Sequence, residues 1–235
     1  MKTERIKIND IPSIIWGEKS NKVYIAVHGN MSNKEDRVIK ILAEKVVSKG
    51  YQLLSFDLPE HGERKDNTTY LCNVQNCVKD LTQVIEYAKT KYEEIYLWAC
   101  SMGAYFSLIS YKDEDIKQCL FLSPVVNMKI IIDNMMQWSN VTEKELKEKQ
   151  EIKTDFGQTL YWDYYKFVKE NPIVSWNKNT FVLYGNKDNL QEEKIIKDFC
   201  TKFNCELSVL ETGEHFFRTE EQLEYYRNWL DEVIK

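Results

Sequence analysis

Ser101 stands between Ala99 and Gly103, where the apolar run EEIYLWAC (93–100) gives way to a second apolar segment, AYFSLIS. A serine on a sharp strand-to-helix turn is lifted above its sheet, and such a turn favours small residues two positions to either side. The same turn leaves the Met102 N–H at a helix N-terminus, aimed at developing negative charge. An ordinary serine N-cap would also satisfy this spacing, so the motif alone leaves two readings. Two further side chains bear on the choice. Asp188 closes the run NTFVLYGNKD (179–188), and His215 follows CELSVLE (205–211). A hydroxyl, an imidazole and a carboxylate supply a nucleophile, a general base and the group that orients the base, which is the chemistry of acyl transfer. Their chain order, Ser then Asp then His, with each at the carboxyl end of an expected strand, favours the catalytic reading.

These side chains need a scaffold that brings strand ends together. Six nearly continuous apolar runs, KVYIAVHG (22–29), YQLLSFDLP (51–59), 93–100, KQCLFLSP (117–124), 179–188 and 205–211, predict strands buried on both faces of a parallel sheet. Helix-period segments lie between them. Residues 34–49 align Val38, Leu42 and Val46, and residues 71–90 align Val74, Cys77, Leu81, Val84, Ile85 and Ala88. Leu223, Tyr226, Leu230 and Val233 continue the pattern at the C-terminus. The alternation predicts an α/β fold, a doubly wound and mostly parallel sheet, with RIKIND and IPSIIWG as an antiparallel pair at one edge. Gly29, Gly62, Gly103 and Gly185 all follow the carboxyl ends of expected strands, the edge where open α/β sheets bind ligands. Gly157 alone matches no junction.

The alternation fails once, between Pro124 and Thr180, a stretch too long for a structureless loop. It is read as an inserted cap after the fourth parallel strand, giving a core of residues 1–124 and 179–235 and a cap of residues 125–178. The charged stretch 143–155 places Glu143–Lys147 and Glu145–Lys149 at helix-supporting spacing and reads as a solvated face. Trp138, Tyr161 and Trp162 are candidates for an apolar pocket roof, although any one of them could equally belong to the cap's own small core.

Composition narrows the function classes. A formal charge of −5 opposes an extended phosphate-binding surface, so no nucleic-acid partner is expected. No apolar stretch approaches the ~20 residues of a membrane span, and the first residues lack the apolar core of a signal peptide. A cytoplasmic location and no membrane partner are the expectation. The six cysteines are scattered without C-x-x-C spacing or a nearby histidine, so they read as small buried hydrophobes, with no metal and no cofactor implied. Of the three histidines, His28 reads as structural, His61 as fixing a loop or facing solvent, and only His215 is placed for the base. Asp57 reads as the start of a turn. Cys100 neighbours the nucleophile, but the spacing to Gly103 selects Ser101.

With these junctions the chain resembles the α/β-hydrolase fold family over nearly its whole length. Val27-His28-Gly29-Asn30 lies where that family places a second oxyanion-hole amide, and Asp57-Leu58-Pro59-Glu60-His61-Gly62 looks like its D-x-P-x-H-G loop. More narrowly, the chain is similar to small bacterial esterases and serine-peptidase-like hydrolases that carry a cap after the same strand. Ala99 departs from the usual glycine, and the cap matches no nameable substrate class. The resemblance implies that Ser101 forms an acyl-enzyme, His215 moves the proton and Asp188 holds the imidazole. It further implies that the N–H groups of Asn30 and Met102 bind the oxyanion, with Met31 a near alternative and a candidate substrate contact. The expected reaction is hydrolysis of carboxylic esters of small to medium, apolar or aromatic acids. An amide, thioester or peptide hydrolase on the same machinery is the alternative, and a non-catalytic ligand-binding relative a further one. A carboxylate nucleophile, as in haloalkane dehalogenation, is disfavoured by Ser101. Oligomeric state is not legible.

Overall fold

The computed structural model describes all residues from Met1 to Lys235. The chain opens with β1 (Thr3–Ile8), β2 (Ile11–Trp16) and β3 (Lys22–Val27), then α1 (Arg37–Ser48), β4 (Gln52–Phe56) and α2 (Val74–Lys89). It continues through β5 (Glu94–Cys100), α3 (Met102–Ser110) and β6 (Cys119–Leu122) to α4 (Met128–Trp138) and α5 (Glu143–Lys149). A short hairpin, β7 (Glu151–Lys153) and β8 (Thr159–Tyr161), precedes α6 (Trp162–Glu170). The chain ends with β9 (Thr180–Gly185), α7 (Glu193–Phe203), β10 (Glu206–Leu210) and α8 (Glu220–Val233).

Two compact units result, Met1–Val126 with Ser175–Lys235, and Asn127–Val174. The larger is built on an eight-stranded sheet of order β1-β2-β4-β3-β5-β6-β9-β10. β1–β2 and β2–β4 are antiparallel, and every other pair is parallel. This is the mostly parallel sheet with an antiparallel edge pair that the sequence pattern predicts. β1 is largely exposed at its edge, whereas β3, β6 and β9 are almost wholly buried, as strands covered on both faces must be. Alternation along β3 separates the two faces. Tyr24 and Ala26 join a core with Leu42 and Val46 of α1 and Tyr226 and Leu230 of α8, so Val23 and Ile25 face the opposite side. No helix is long and apolar enough to cross a membrane.

Parallel pairing aligns the functional junctions. Val27 pairs with Ala99, Cys100 with Leu122 and Gly185 with Leu210, so the loops after β3, β5, β9 and β10 leave the same edge of the sheet.

Within the smaller unit Met128, Ile131, Ile132, Met136, Leu146, Leu160, Tyr165 and Val168 are buried. Asn127 caps α4 by accepting from Ile130 N–H, and Thr142 caps α5. Of the two expected helix pairs, Glu145–Lys149 forms at 2.8 Å, but Glu143 pairs with Lys169 of α6 at 2.6 Å. Lys147 lies instead over the Trp162 ring. A partner on another element displaces the local one because an exposed i,i+4 pair contributes only about 0.3–0.5 kcal/mol. Gly157, at φ +84, occupies the turn between β7 and β8.

Candidate active site

Ser101 has φ 51 and ψ −122, a left-handed conformation that costs a non-glycine residue on the order of 1–3 kcal/mol. Its backbone is held there from both sides. The Ser101 N–H donates to Leu122 O at 3.1 Å, and its carbonyl accepts from Ala104 and Val125, each at 3.0 Å. The side chain makes no capping bond to α3, which distinguishes it from an ordinary N-cap. Its Oγ is directed at the His215 ring.

Glycine is required at 103 for a reason other than crowding against Ala99. A Cβ there would lie 2.4 Å from the His28 carbonyl oxygen and 2.5 Å from that of Val27, so a side chain would drive α3 off β3. A second pair of glycines joins the other two junctions. A Cβ on Gly185 would meet the Gly213 carbonyl carbon and oxygen at 2.4 Å, so the loop carrying Asp188 and the loop carrying His215 touch through bare backbone. Lys187 N–H donating to Gly213 O at 2.9 Å and Asn186 N–H donating to Leu210 O at 3.0 Å fix that approach.

The three side chains meet in one hydrogen-bonded chain. Ser101 Oγ is 2.7 Å from His215 Nε2, and His215 Nδ1 is 2.6 Å from Asp188 Oδ2. Asp188 Oδ1 accepts from the N–H groups of Leu190 at 2.8 Å and Gln191 at 3.2 Å. Three donors, with the His215 ring as the third, fix this carboxylate in orientation. It accepts a hydrogen bond from the His215 Nδ1–H, which keeps the proton on Nδ1 and leaves Nε2 as an acceptor for the serine hydroxyl. The side chains of Asp188 and His215 are both buried.

At the mouth of this chain, Met102 is the first residue of α3, so its N–H has no carbonyl a turn earlier in the helix to bond. The Asn30 N–H is likewise uncommitted among the backbone bonds. Met31 differs: its N–H donates to His61 Nε2 at 3.2 Å. Its side chain, 77% exposed, lines a cavity of about 530 Å³ with Ser101, His215, Trp98, Phe216 and Phe217. Trp138, Tyr161 and Trp162 belong to the smaller unit, where Trp138 packs edge-on to Phe156 and Trp162 against Tyr165.

The remaining polar residues build the loops. His28 Nδ1 donates to Gly29 O at 2.7 Å, and its Nε2 accepts from Leu58 N–H at 3.0 Å. Burial pushes its pKa down to about 4, keeping it neutral. His61 is buried rather than solvent-facing, with Nδ1 donating to Pro59 O at 2.7 Å. Asp57 does more than start a turn. Fully buried, it accepts from Lys34 N–H and Glu63 N–H at 3.0 Å each and pairs with the Lys34 ammonium at 2.5 Å. Burial raises Cys100 to about 12, so the neighbour of Ser101 stays a thiol. Phe216, Phe217, Trp98 and Lys34 were not singled out by the sequence. Phe216 and Phe217, the aromatic pair directly after His215, were the available signal.

Comparisons with known proteins bear on the family and the fold. Residues 18–174 match the family model described as serine aminopeptidase, S33. Among solved structures, Est1E from Butyrivibrio proteoclasticus with ferulic acid bound superposes with a TM-score of 0.78 at 18% identity, covering 98% of this chain and 97% of that one. The mouse α/β hydrolase domain-containing protein 10 gives 0.79 at 14% identity, with coverage of 100% and 98%. An esterase of Pyrococcus furiosus gives 0.69 at 19% identity, with coverage of 98% and 88%. No curated protein sequence matches the chain.

Proposed function

The chain belongs to the serine aminopeptidase S33 family of α/β hydrolases, and from that premise we propose that it is a serine hydrolase acting on carboxylic esters of small to medium, apolar or aromatic acids. The observation that carries this reading is the continuous hydrogen-bonded chain from Ser101 Oγ through His215 to Asp188. In the proposed reaction His215 Nε2 takes the serine proton as Oγ attacks the acyl carbon. The oxyanion that forms is bound by the N–H groups of Met102 and Asn30, each such donor contributing about 3 kcal/mol. Collapse expels the alcohol, which receives the proton from His215, and water activated by the same imidazole releases the acid. The apolar lining of the cavity, Trp98, Phe216, Phe217 and Met31, supports an apolar or aromatic acyl group. Ferulic acid bound to Est1E is an aromatic acid of that kind.

Residues 125–178 are assigned as a substrate-selecting cap, supported by their insertion in the chain between β6 and β9, with Trp138, Tyr161 and Trp162 as its candidate contacts. The six free thiols suit a reducing, cytoplasmic setting. The family's description, an aminopeptidase, favours amide hydrolysis as the second reading. A panel of matched p-nitrophenyl esters, thioesters and aminoacyl anilides decides between them. The ester reading expects turnover of aromatic and short acyl esters that is lost in Ser101→Ala. Faster turnover of aminoacyl anilides than of the matched esters would overturn it.

A further inference from the structure

Behind the loop that carries Asn30 and Met31 lies a pair of thiols that the proposed hydrolysis does not use. Cys72 precedes Asn73, the N-cap of α2, and Cys77 is buried at the end of that helix's first turn. Their Sγ atoms are 3.6 Å apart. Cys77 is fully buried, whereas Cys72 is partly exposed, so a reagent from solvent reaches Cys72 first. The Cys72 N–H donates to the Glu60 carboxylate at 2.5 Å, which ties this thiol to the loop bearing His61. That imidazole also takes the Met31 N–H, so Cys72 is one side chain away from the oxyanion loop.

We propose that Cys72 and Cys77 form an oxidisable dithiol site, in which Cys72 reacts with a peroxide and Cys77 closes the disulfide. The two thiols differ in the sense this requires. The bond from Cys77, and then the His61 ring, lower Cys72 to about 6 against the cost of burial. Burial first, and then the bond to Cys72, raise Cys77 well above the ordinary thiol range. Cys72, the more exposed and the more readily ionised of the two, is therefore the attacking thiol. In the first step the Cys72 thiolate attacks a peroxide oxygen. An S–O bond forms, the O–O bond breaks, and the leaving hydroxide takes a proton to become water. The sulfur is oxidised by two electrons and the peroxide reduced by two. In the second step Cys77 gives up its proton and attacks the Cys72 sulfur. The S–S bond forms as the S–O bond breaks, and the departing hydroxide leaves as water with that proton. Closing the separation from 3.6 Å to about 2.05 Å needs a movement of roughly 1.5 Å, within reach of a residue that lies outside the helix. A cytosolic disulfide of this kind is transient and reversed by dithiols.

The test is mass spectrometry of the intact, folded protein after brief treatment with hydrogen peroxide, followed by denaturing alkylation and peptide mapping. The expected result is a loss of two hydrogens, a single cross-linked peptide pair joining Cys72 to Cys77, and recovery of both free thiols with dithiothreitol. In Cys77→Ser the expected product is a dimedone-reactive sulfenic acid on Cys72 with no cross-link. Peroxide-treated wild-type protein that alkylates fully at both positions would overturn the proposal, as would a first cross-link mapped to another pair such as Cys200–Cys205.

Discussion

Replacing Asp188 with asparagine separates the orienting role of this side chain from its structural one. Asp188 Oδ1 is anchored by the N–H groups of Leu190 and Gln191, and an asparagine carbonyl keeps both bonds. The amide nitrogen then takes the place of Oδ2, 2.6 Å from His215 Nδ1. Two N–H donors cannot face each other at that distance, so the imidazole proton moves to Nε2 and Nδ1 becomes the acceptor. Nε2 now presents a hydrogen to Ser101 Oγ at 2.7 Å and can no longer accept the hydroxyl proton. Loss of the correct tautomer in triads of this geometry lowers kcat by about 10⁴, or roughly 5.4 kcal/mol of transition-state stabilisation at 1.36 kcal/mol per decade. The fold should change by much less, under about 2 kcal/mol, because the side-chain shape and all three hydrogen-bond contacts are retained with donors exchanged. The assay is steady-state turnover of a p-nitrophenyl ester, with denaturant unfolding of the same samples. A folded Asp188→Asn protein within tenfold of wild-type kcat would refute the tautomer argument.

Other consequences follow from the packing around this site. Gly103→Ala sets a methyl 2.4 Å from a backbone oxygen, so a loss of at least about 3 kcal/mol in denaturant unfolding is expected; a loss below about 1 kcal/mol would show that the β3–α3 contact yields. Lys34→Met leaves the fully buried Asp57 carboxylate with its two N–H donors but no counter-charge and is expected to destabilise the fold by about 3–5 kcal/mol in the same assay; a loss below about 1 kcal/mol would show that the ion pair is dispensable. His28, held neutral by burial, should show flat imidazole NMR shifts as pH falls from 8 toward 5; a midpoint near 6.5 would contradict this. Between about pH 6.5 and about 4 the unfolded chain binds a proton at this position that the folded chain does not, so His28 makes stability drop as pH is lowered through that window and rise as pH is raised.

The site was legible in the sequence where it depends on strand ends. Continuous apolar runs marked buried parallel strands, and the residues immediately after β5, β9 and β10 include the three that the structure joins. Smallness at 103 was legible too, but its cause, the carbonyls of Val27 and His28 where β3 ends, comes from a neighbouring strand and has no periodic signature. The Lys34–Asp57 and Met31–His61 contacts were missed for the same reason, since they span 23 and 30 residues through folded loops. Helix α4 was a different kind of omission. Met128, Ile131, Ile132 and Met136 carry its period after the cap Asn127, so the signal was present and went unread. Gly157 was placed at no junction because the hairpin it turns has strands of only three residues, too short to show alternation.

The nucleophile is tested most directly by a covalent label. Treatment with a fluorophosphonate and tryptic mapping is expected to place a single adduct on Ser101, to find none in Ser101→Ala, and to show labelling slowed in His215→Ala. An adduct that persists on another residue when Ser101 is alanine, or a wild-type protein that takes no label while turning over esters, would contradict the assignment.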